Sequence, residues 1–243
     1  MHLHVDPPMT MRRVLDRHRW VLPVALVGFL ALTAGAVFER LPWDAPITAW
    51  VVDLRTPWLD AVVRRVSFMG STPVVLSVAA LAALASARRC PRLAIAIVVI
   101  ALARPLAEFT LKELISRPRP AGDRMVNGTG YSFPSGHPLA TAASWCLLPL
   151  VLALYTRRRV LWWCVAGSVW VLAVLIAISR VWLGVHWTSD VIAALLLAIM
   201  GVAAAERFIG ATHGPACPGA SRAADAEDVD EDLVERPVLE TPA

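Results

Sequence analysis

Long apolar runs, separated by short breaks rich in arginine or proline, dominate this chain. Six of them approach the roughly 20 residues needed to cross a bilayer core of about 30 Å. They are Trp20–Phe38, Thr72–Ala87, Leu93–Ile115, His137–Tyr155, Val160–Ser179 and Trp187–Ile209. Lipid offers no hydrogen bonds, so each run is predicted to satisfy its own backbone as a helix. Strands of a membrane barrel would be shorter and would alternate apolar with polar positions, and no stretch here alternates. The third run is the least uniform, because Arg104, Pro105 and Glu108 interrupt it. The pattern predicts an all-α membrane protein with six transmembrane helices filling residues 20–209.

The polar segments between the runs orient them. Arg12, Arg13, Arg17 and Arg19 precede the first run; Arg88, Arg89 and Arg92 separate the second from the third. Arg157, Arg158 and Arg159 separate the fourth from the fifth, and Arg207 closes the sixth. The positive-inside bias assigns all of these to the cytoplasm, which six spans with both termini inside satisfy. Trp20, Trp162 and Trp163 then mark one membrane rim and Trp182 and Trp187 the other, as amphipathic rings prefer. The first run, with Ala34-Gly35-Ala36 near its end, also resembles a secretory signal, but it is longer than a signal core and reads better as an uncleaved anchor. Residues 39–70 carry apolar side chains at helical spacing (Ile47, Trp50, Val51, Leu54, then Leu59, Val62, Val63, Val66). This outer loop is expected to hold an amphipathic helix, either lying at the interface or packed on the bundle. Residues 1–19 are expected to be a cytoplasmic arm, and residues 210–243 a disordered acidic cytoplasmic tail.

Composition adds detail to this picture. Of the 243 residues, 57% are hydrophobic and 17% charged, against about 25% charged in soluble domains, so a soluble enzyme and a disordered chain are both excluded. The net charge of +4 divides unevenly: residues 1–220 carry 21 cations and 11 acids, residues 221–243 two and eight. Of the 23 cations, 22 are arginine; the single lysine is Lys112. No cysteine pair falls in the outer loops, so no disulfide is expected, and no zinc-type His/Cys spacing occurs. Nothing suggests a nucleic-acid partner.

Three polar clusters fall at the outer ends of the third to sixth spans, where ionisable groups are costly and usually functional. They are Lys112–Pro120 with Lys112 and Arg119; Pro134-Ser135-Gly136-His137; and Ser179-Arg180 followed by His186 and Asp190. Lys112, Arg119 and Arg180 are three cations suited to phosphate oxygens, arginine as a fork and lysine as a point charge. Ser135 and Gly136 open a helix whose N-terminal amides favour an anion, and Gly136 permits close backbone approach. His186 and Asp190, four residues apart, would share a helical face if the sixth span starts early. The carboxylate would then hold one ring nitrogen protonated and leave the other as nucleophile. His137, from another span, is free to act as general acid on a leaving group. The chemistry that follows is in-line attack on phosphorus, a phosphohistidine, and hydrolysis by water that His137 activates, with fixed cations in the role usually given to metal ions. No cofactor or metal is expected.

These residues compose KxxxxxxRP, PSGH and SRxxxxxHxxxD, and with them the chain resembles the type 2 phosphatidic acid phosphatase superfamily over residues 44–209. The resemblance implies a helical-bundle membrane phosphatase core with His186 as nucleophile, Asp190 as its orienter and His137 as acid. Lys112, Arg119, Ser135, Gly136 and Arg180 hold the phosphate in that scheme, with 112–137 as the outer catalytic loop. The implied reaction is hydrolysis of a lipid phosphate or diphosphate at the extracytoplasmic face of the plasma membrane. Candidate substrates are a polyprenyl diphosphate, slightly preferred, and phosphatidate or phosphatidylglycerophosphate. A lipid-phosphate binding or transport protein without turnover, and a phosphotransferase using the same histidine, are the alternatives. A vanadate-dependent halide oxidase shares the motifs but not the spans. Outside the motifs, Arg104 and Glu108 are expected to form a structural ion pair, with Glu108 one turn before Lys112 and able to orient it. Arg117 and Arg124 read as solvated loop charges.

Overall fold

The computed structural model describes residues 20–156 and 158–210, so the N-terminal arm, Arg157 and the acidic tail lie outside the described residues. Those residues form nine helices and no strand: α1 (Val21–Val37), α2 (Asp44–Asp53), α3 (Pro57–Met69), α4 (Thr72–Ala87), α5 (Pro91–Ile115), α6 (Gly136–Trp145), α7 (Leu148–Ala153), α8 (Arg159–Trp182) and α9 (Thr188–Gly210). Pro57 and Pro91 open α3 and α5 as first helical residues, where a missing N–H costs nothing. Pro149 explains why the fourth run is not one helix. It cannot donate to the carbonyl four residues back and its ring crowds that position, and the chain breaks at residues 146–147 between α6 and α7.

The six expected spans correspond to helical segments, but the count of six does not follow from their dimensions. Pro91–Ile115, Gly136–Ala153, Val160–Trp182 and Thr188–Ile209 are long and apolar enough to cross a membrane. α4 has 16 residues and α1 has 17, about 24–26 Å at the helical rise, short of the hydrocarbon thickness. α4 makes a fifth candidate only together with α3, from which it is bent by 44°.

α6 is the centre of the bundle. Pro138 to Trp145 are all buried, and α4, α5, α8 and α9 pack around them. The small side chains Ala140, Ala142, Ala143 and Ser144 allow that approach, as interfaces between membrane helices require. The outer helices present apolar side chains to lipid instead: Leu102, Leu106 and Phe109 on α5, Val171, Val174 and Leu175 on α8. The 39–70 segment forms two helices packed on the bundle. Arg55 donates to the Trp182 carbonyl at 2.9 Å, and the Trp182 indole donates to Asp60 at 2.8 Å, while Trp50, Trp58 and Phe68 remain exposed on the far side. One expectation is corrected: Cys90, at the N-cap of α5, is disulfide-bonded. The inference of no disulfide rested on the outer loops, and Cys90 lies at the opposite end of its helix. Cys146 and Cys164 are free thiols.

Candidate active site

Two local stops bring the polar clusters together. α5 ends at Ser116, whose left-handed φ of 50° lets its amide bond back to the Lys112 carbonyl at 2.8 Å, and Pro118 prevents the helix from resuming. α8 ends in a turn through Gly184 at φ +73°, where a side chain would strike the Asp123 carbonyl. Between these stops lies a cavity of about 230 Å³. Lys112, Arg119, Gly136, His137, Arg180 and His186 line it, six of the eight residues selected from the sequence. Ser135 and Asp190 are fully buried and are not among the lining residues. The Ser135 amide donates to the Asp190 carbonyl at 3.2 Å, so it is already engaged, and the Ser135 hydroxyl has no partner among the described residues.

Arg119 is fixed by backbone oxygens. It donates to the carbonyls of Gly130 (3.0 Å), Thr129 (2.8 Å), Tyr131 (3.2 Å) and Val185 (2.7 Å). The same Nη1 lies 3.2 Å from His186 Nε2. A guanidinium has no lone pair to accept with, so Nε2 is the acceptor and the ring proton sits on Nδ1. Nδ1 in turn lies 2.8 Å from the Ser132 carbonyl. The expected Asp190 contact is longer, 3.5 Å from Nδ1 to Oδ2, because α9 starts at Thr188 and His186 stands in the turn before it. Asp190 Oδ2 accepts the Trp187 amide at 2.9 Å instead.

Residues 92–212 match the sequence profile of the PAP2 superfamily. Phosphatidylglycerophosphatase B of Bacillus subtilis is 30% identical over 73% of this chain and 90% of its own length. The chain belongs to the PAP2 superfamily. The crystal structure of a transmembrane PAP2-type phosphatidylglycerolphosphate phosphatase from Bacillus subtilis superposes with a TM-score of 0.71. It shares 26% identity and covers 78% of this chain and 96% of its own. An undecaprenyl-diphosphatase of Sulfolobus acidocaldarius is 42% identical over a shorter stretch, 28% of this chain and 29% of its own. The protein is accordingly a multi-pass membrane phosphatase of PAP2 type, and the resemblance carried by its three motifs is correct.

The candidate site contains charges that the motifs do not specify. Arg117, expected to be a solvated loop cation, is partly buried between two acids: Nη1 lies 2.6 Å from Asp190 Oδ1 and Nη2 2.7 Å from Asp44 Oδ2. Asp44 also receives the Ser189 amide at 2.9 Å and the Ser189 hydroxyl. The first helix of the outer loop is thereby joined to the start of α9. The repeated Arg-Pro step at 117–120 was the one signal available in the sequence. Arg124 donates to the Pro120 carbonyl at 2.9 Å. The Arg104–Glu108 pair forms as expected at 2.7 Å, and Glu108 also reaches Lys112 at 2.9 Å.

Burial pushes the His186 imidazole down from 6.5 to about 4, against the opposing pull of Asp190. The ring is therefore neutral at pH 7, with a lone pair on one ring nitrogen. Linkage gives the sign of its effect on stability. Between about pH 6.5 and 4 the unfolded chain binds the proton and the folded one does not, so stability is fully present above 6.5 and is lost as pH falls toward 4. Thermal unfolding in detergent at about pH 7.5 and 5 is expected to show a smaller drop in Tm for His186→Asn than for the unsubstituted protein. An equal or larger drop in the variant would count against a buried neutral imidazole.

Proposed function

We propose that this protein removes a phosphoryl group from a lipid phosphate at the extracytoplasmic face of the plasma membrane, through a phosphohistidine on His186. The observation that carries the reading is the neutral His186 Nε2, turned toward a cation-lined cavity and held by a clamped Arg119. A phosphate entering beside Arg119 takes over its hydrogen bond and frees the Nε2 lone pair for in-line attack. As the P–N bond forms and the P–O bond to the lipid breaks, His137, protonated once the negative charge of the bound phosphate sits beside it, gives its proton to the departing oxygen. Neutral His137 then takes a proton from water, whose oxygen attacks phosphorus and breaks the P–N bond, restoring both histidines. Nδ1–H stays on His186 throughout, facing the Ser132 carbonyl, with Asp190 behind it stabilising the transient positive ring. Lys112, Arg119, Arg180 and the Gly136 end of α6 bear the charge of the equatorial oxygens, with Ser135 behind them; no metal is required. Six spans with both termini cytoplasmic satisfy the arginine pattern and leave this mouth outside.

Bacillus subtilis phosphatidylglycerophosphatase B and the Sulfolobus undecaprenyl-diphosphatase make phosphatidylglycerophosphate, phosphatidate and undecaprenyl-type diphosphate the first substrates to test. Purified protein assayed for phosphate release on this panel, with EDTA present throughout, is expected to hydrolyse at least one lipid at an undiminished rate. Intact spheroplasts should act on the same lipid added from outside. Strict dependence on added Mg²⁺, or headgroup binding without phosphate release, would sink the reading; the second result would identify a lipid-phosphate binding protein. Phosphate transfer that needs an added alcohol would identify a transferase.

A further inference from the structure

The cavity that would hold the phosphoryl group also holds a carboxylate, and neither the three motifs nor the proposed chemistry uses it. Glu108 lines the cavity, with Oε1 2.9 Å from Lys112 Nζ and Oε2 2.7 Å from Arg104 Nη1. Its third neighbour is the N-terminus of α6: a Cβ placed on Gly136 would overlap the Glu108 carboxylate. Two cations and a helix N-terminus are the surroundings expected of a bound anion, and here the chain supplies that anion itself.

Position along α5 says which part of a substrate meets it. Lys112 is in the last turn, and Glu108 and Arg104 lie about 6 and 12 Å farther into the helix at 1.5 Å per residue. A lipid phosphate enters with its transferred phosphoryl at the outer end and its tail toward the bilayer. The group next to the breaking bond therefore falls beside His137 and Glu108, inward of the Gly136 end of α6 that receives the transferred phosphoryl. In a monoester that group is an uncharged alcohol, whose hydroxyl, where present, can donate to the carboxylate. In a diphosphate it is a second phosphate, whose oxygens would meet a like charge. Arg104 is paired through Nη1 with Glu108 at 2.7 Å, so the two together bring no net positive charge to a second phosphate.

Resting on the lipid-phosphatase reading, we propose that Glu108 determines substrate class, admitting phosphate monoesters and disfavouring diphosphates. Such rejection by a like charge is a common route to specificity.

Phosphatidate and diacylglycerol diphosphate with identical acyl chains isolate the headgroup. The unsubstituted protein is expected to have the higher kcat/KM on phosphatidate, and Glu108→Gln to raise the diphosphate-to-monoester ratio by about ten-fold or more. A preference of the unsubstituted protein for the diphosphate, or an unchanged ratio in the variant, would overturn the assignment. Release from neither lipid would overturn the phosphatase reading and this one with it. Should Glu108→Gln leave Arg104 unpaired and the protein unfolded, Arg104→Gln/Glu108→Gln removes both charges together and is expected to shift the ratio in the same direction. Inhibition of the unsubstituted protein gives a check independent of any variant. Inorganic phosphate should inhibit more strongly than methylene diphosphonate, and the reverse order would refute the proposal.

Discussion

His186→Ala is expected to stay folded in the membrane and to lose lipid-phosphate hydrolysis by on the order of 10⁴-fold or more. The fall should appear in kcat, because the groups assigned to phosphate binding survive the change. Arg119 is held by four backbone carbonyls, and Arg180 donates to Ser67 at 2.7 Å; neither needs the imidazole to keep its place. Rapid acid-free quenching with substrate labelled in the phosphoryl group should leave label on the unsubstituted protein and none on His186→Ala. His137→Asn sharpens the test. With a substrate whose leaving group needs no protonation, the first step proceeds while activation of water fails, so label should accumulate on His186. Full activity or retained label in His186→Ala would refute the phosphohistidine.

What could be read from the sequence, and what could not, follows from the range of the interactions involved. Helices in lipid are encoded locally by apolar runs, so α4 coincides with the expected second span and α5 differs from the third by two residues at its start. Short polar motifs at span ends carry their neighbours with them, which is why six selected residues meet at one cavity. The partner of His186 was less legible. An i,i+4 spacing suggests a helical pair with Asp190, but the left-handed turn at Gly184 keeps His186 ahead of α9, and a carbonyl from the 117–135 loop takes the closer position. The break between α6 and α7 was written in the chain as Pro149, although a continuous apolar run concealed it. The role of Arg117 was hidden for a different reason: the repeated Arg-Pro step marks the segment, but its acids lie 73 residues away in either direction, and no local pattern announces a contact at that distance.

Arg117→Ala tests how far that distant contact supports the site. Removing the guanidinium leaves Asp44 and Asp190, both almost wholly buried, facing each other without a cation between them. Breaking a buried ionic cluster by removing one member costs about 3–5 kcal/mol, so Tm in detergent should fall by several degrees and hydrolysis should fall with it. Arg117→Lys keeps the charge but lacks the planar fork that reaches both carboxylates at once. It should recover part of the stability and little of the kcat, since a point charge can serve Asp44 or Asp190 but not hold the two together. A purely structural cluster predicts recovery of both in proportion, which separates the two roles. Asp44→Asn in the Arg117→Ala background supplies the energetic control. With one stranded carboxylate neutralised, the double variant should be more stable than the sum of the single losses requires, whereas simple additivity would mean that Arg117 and Asp44 act independently.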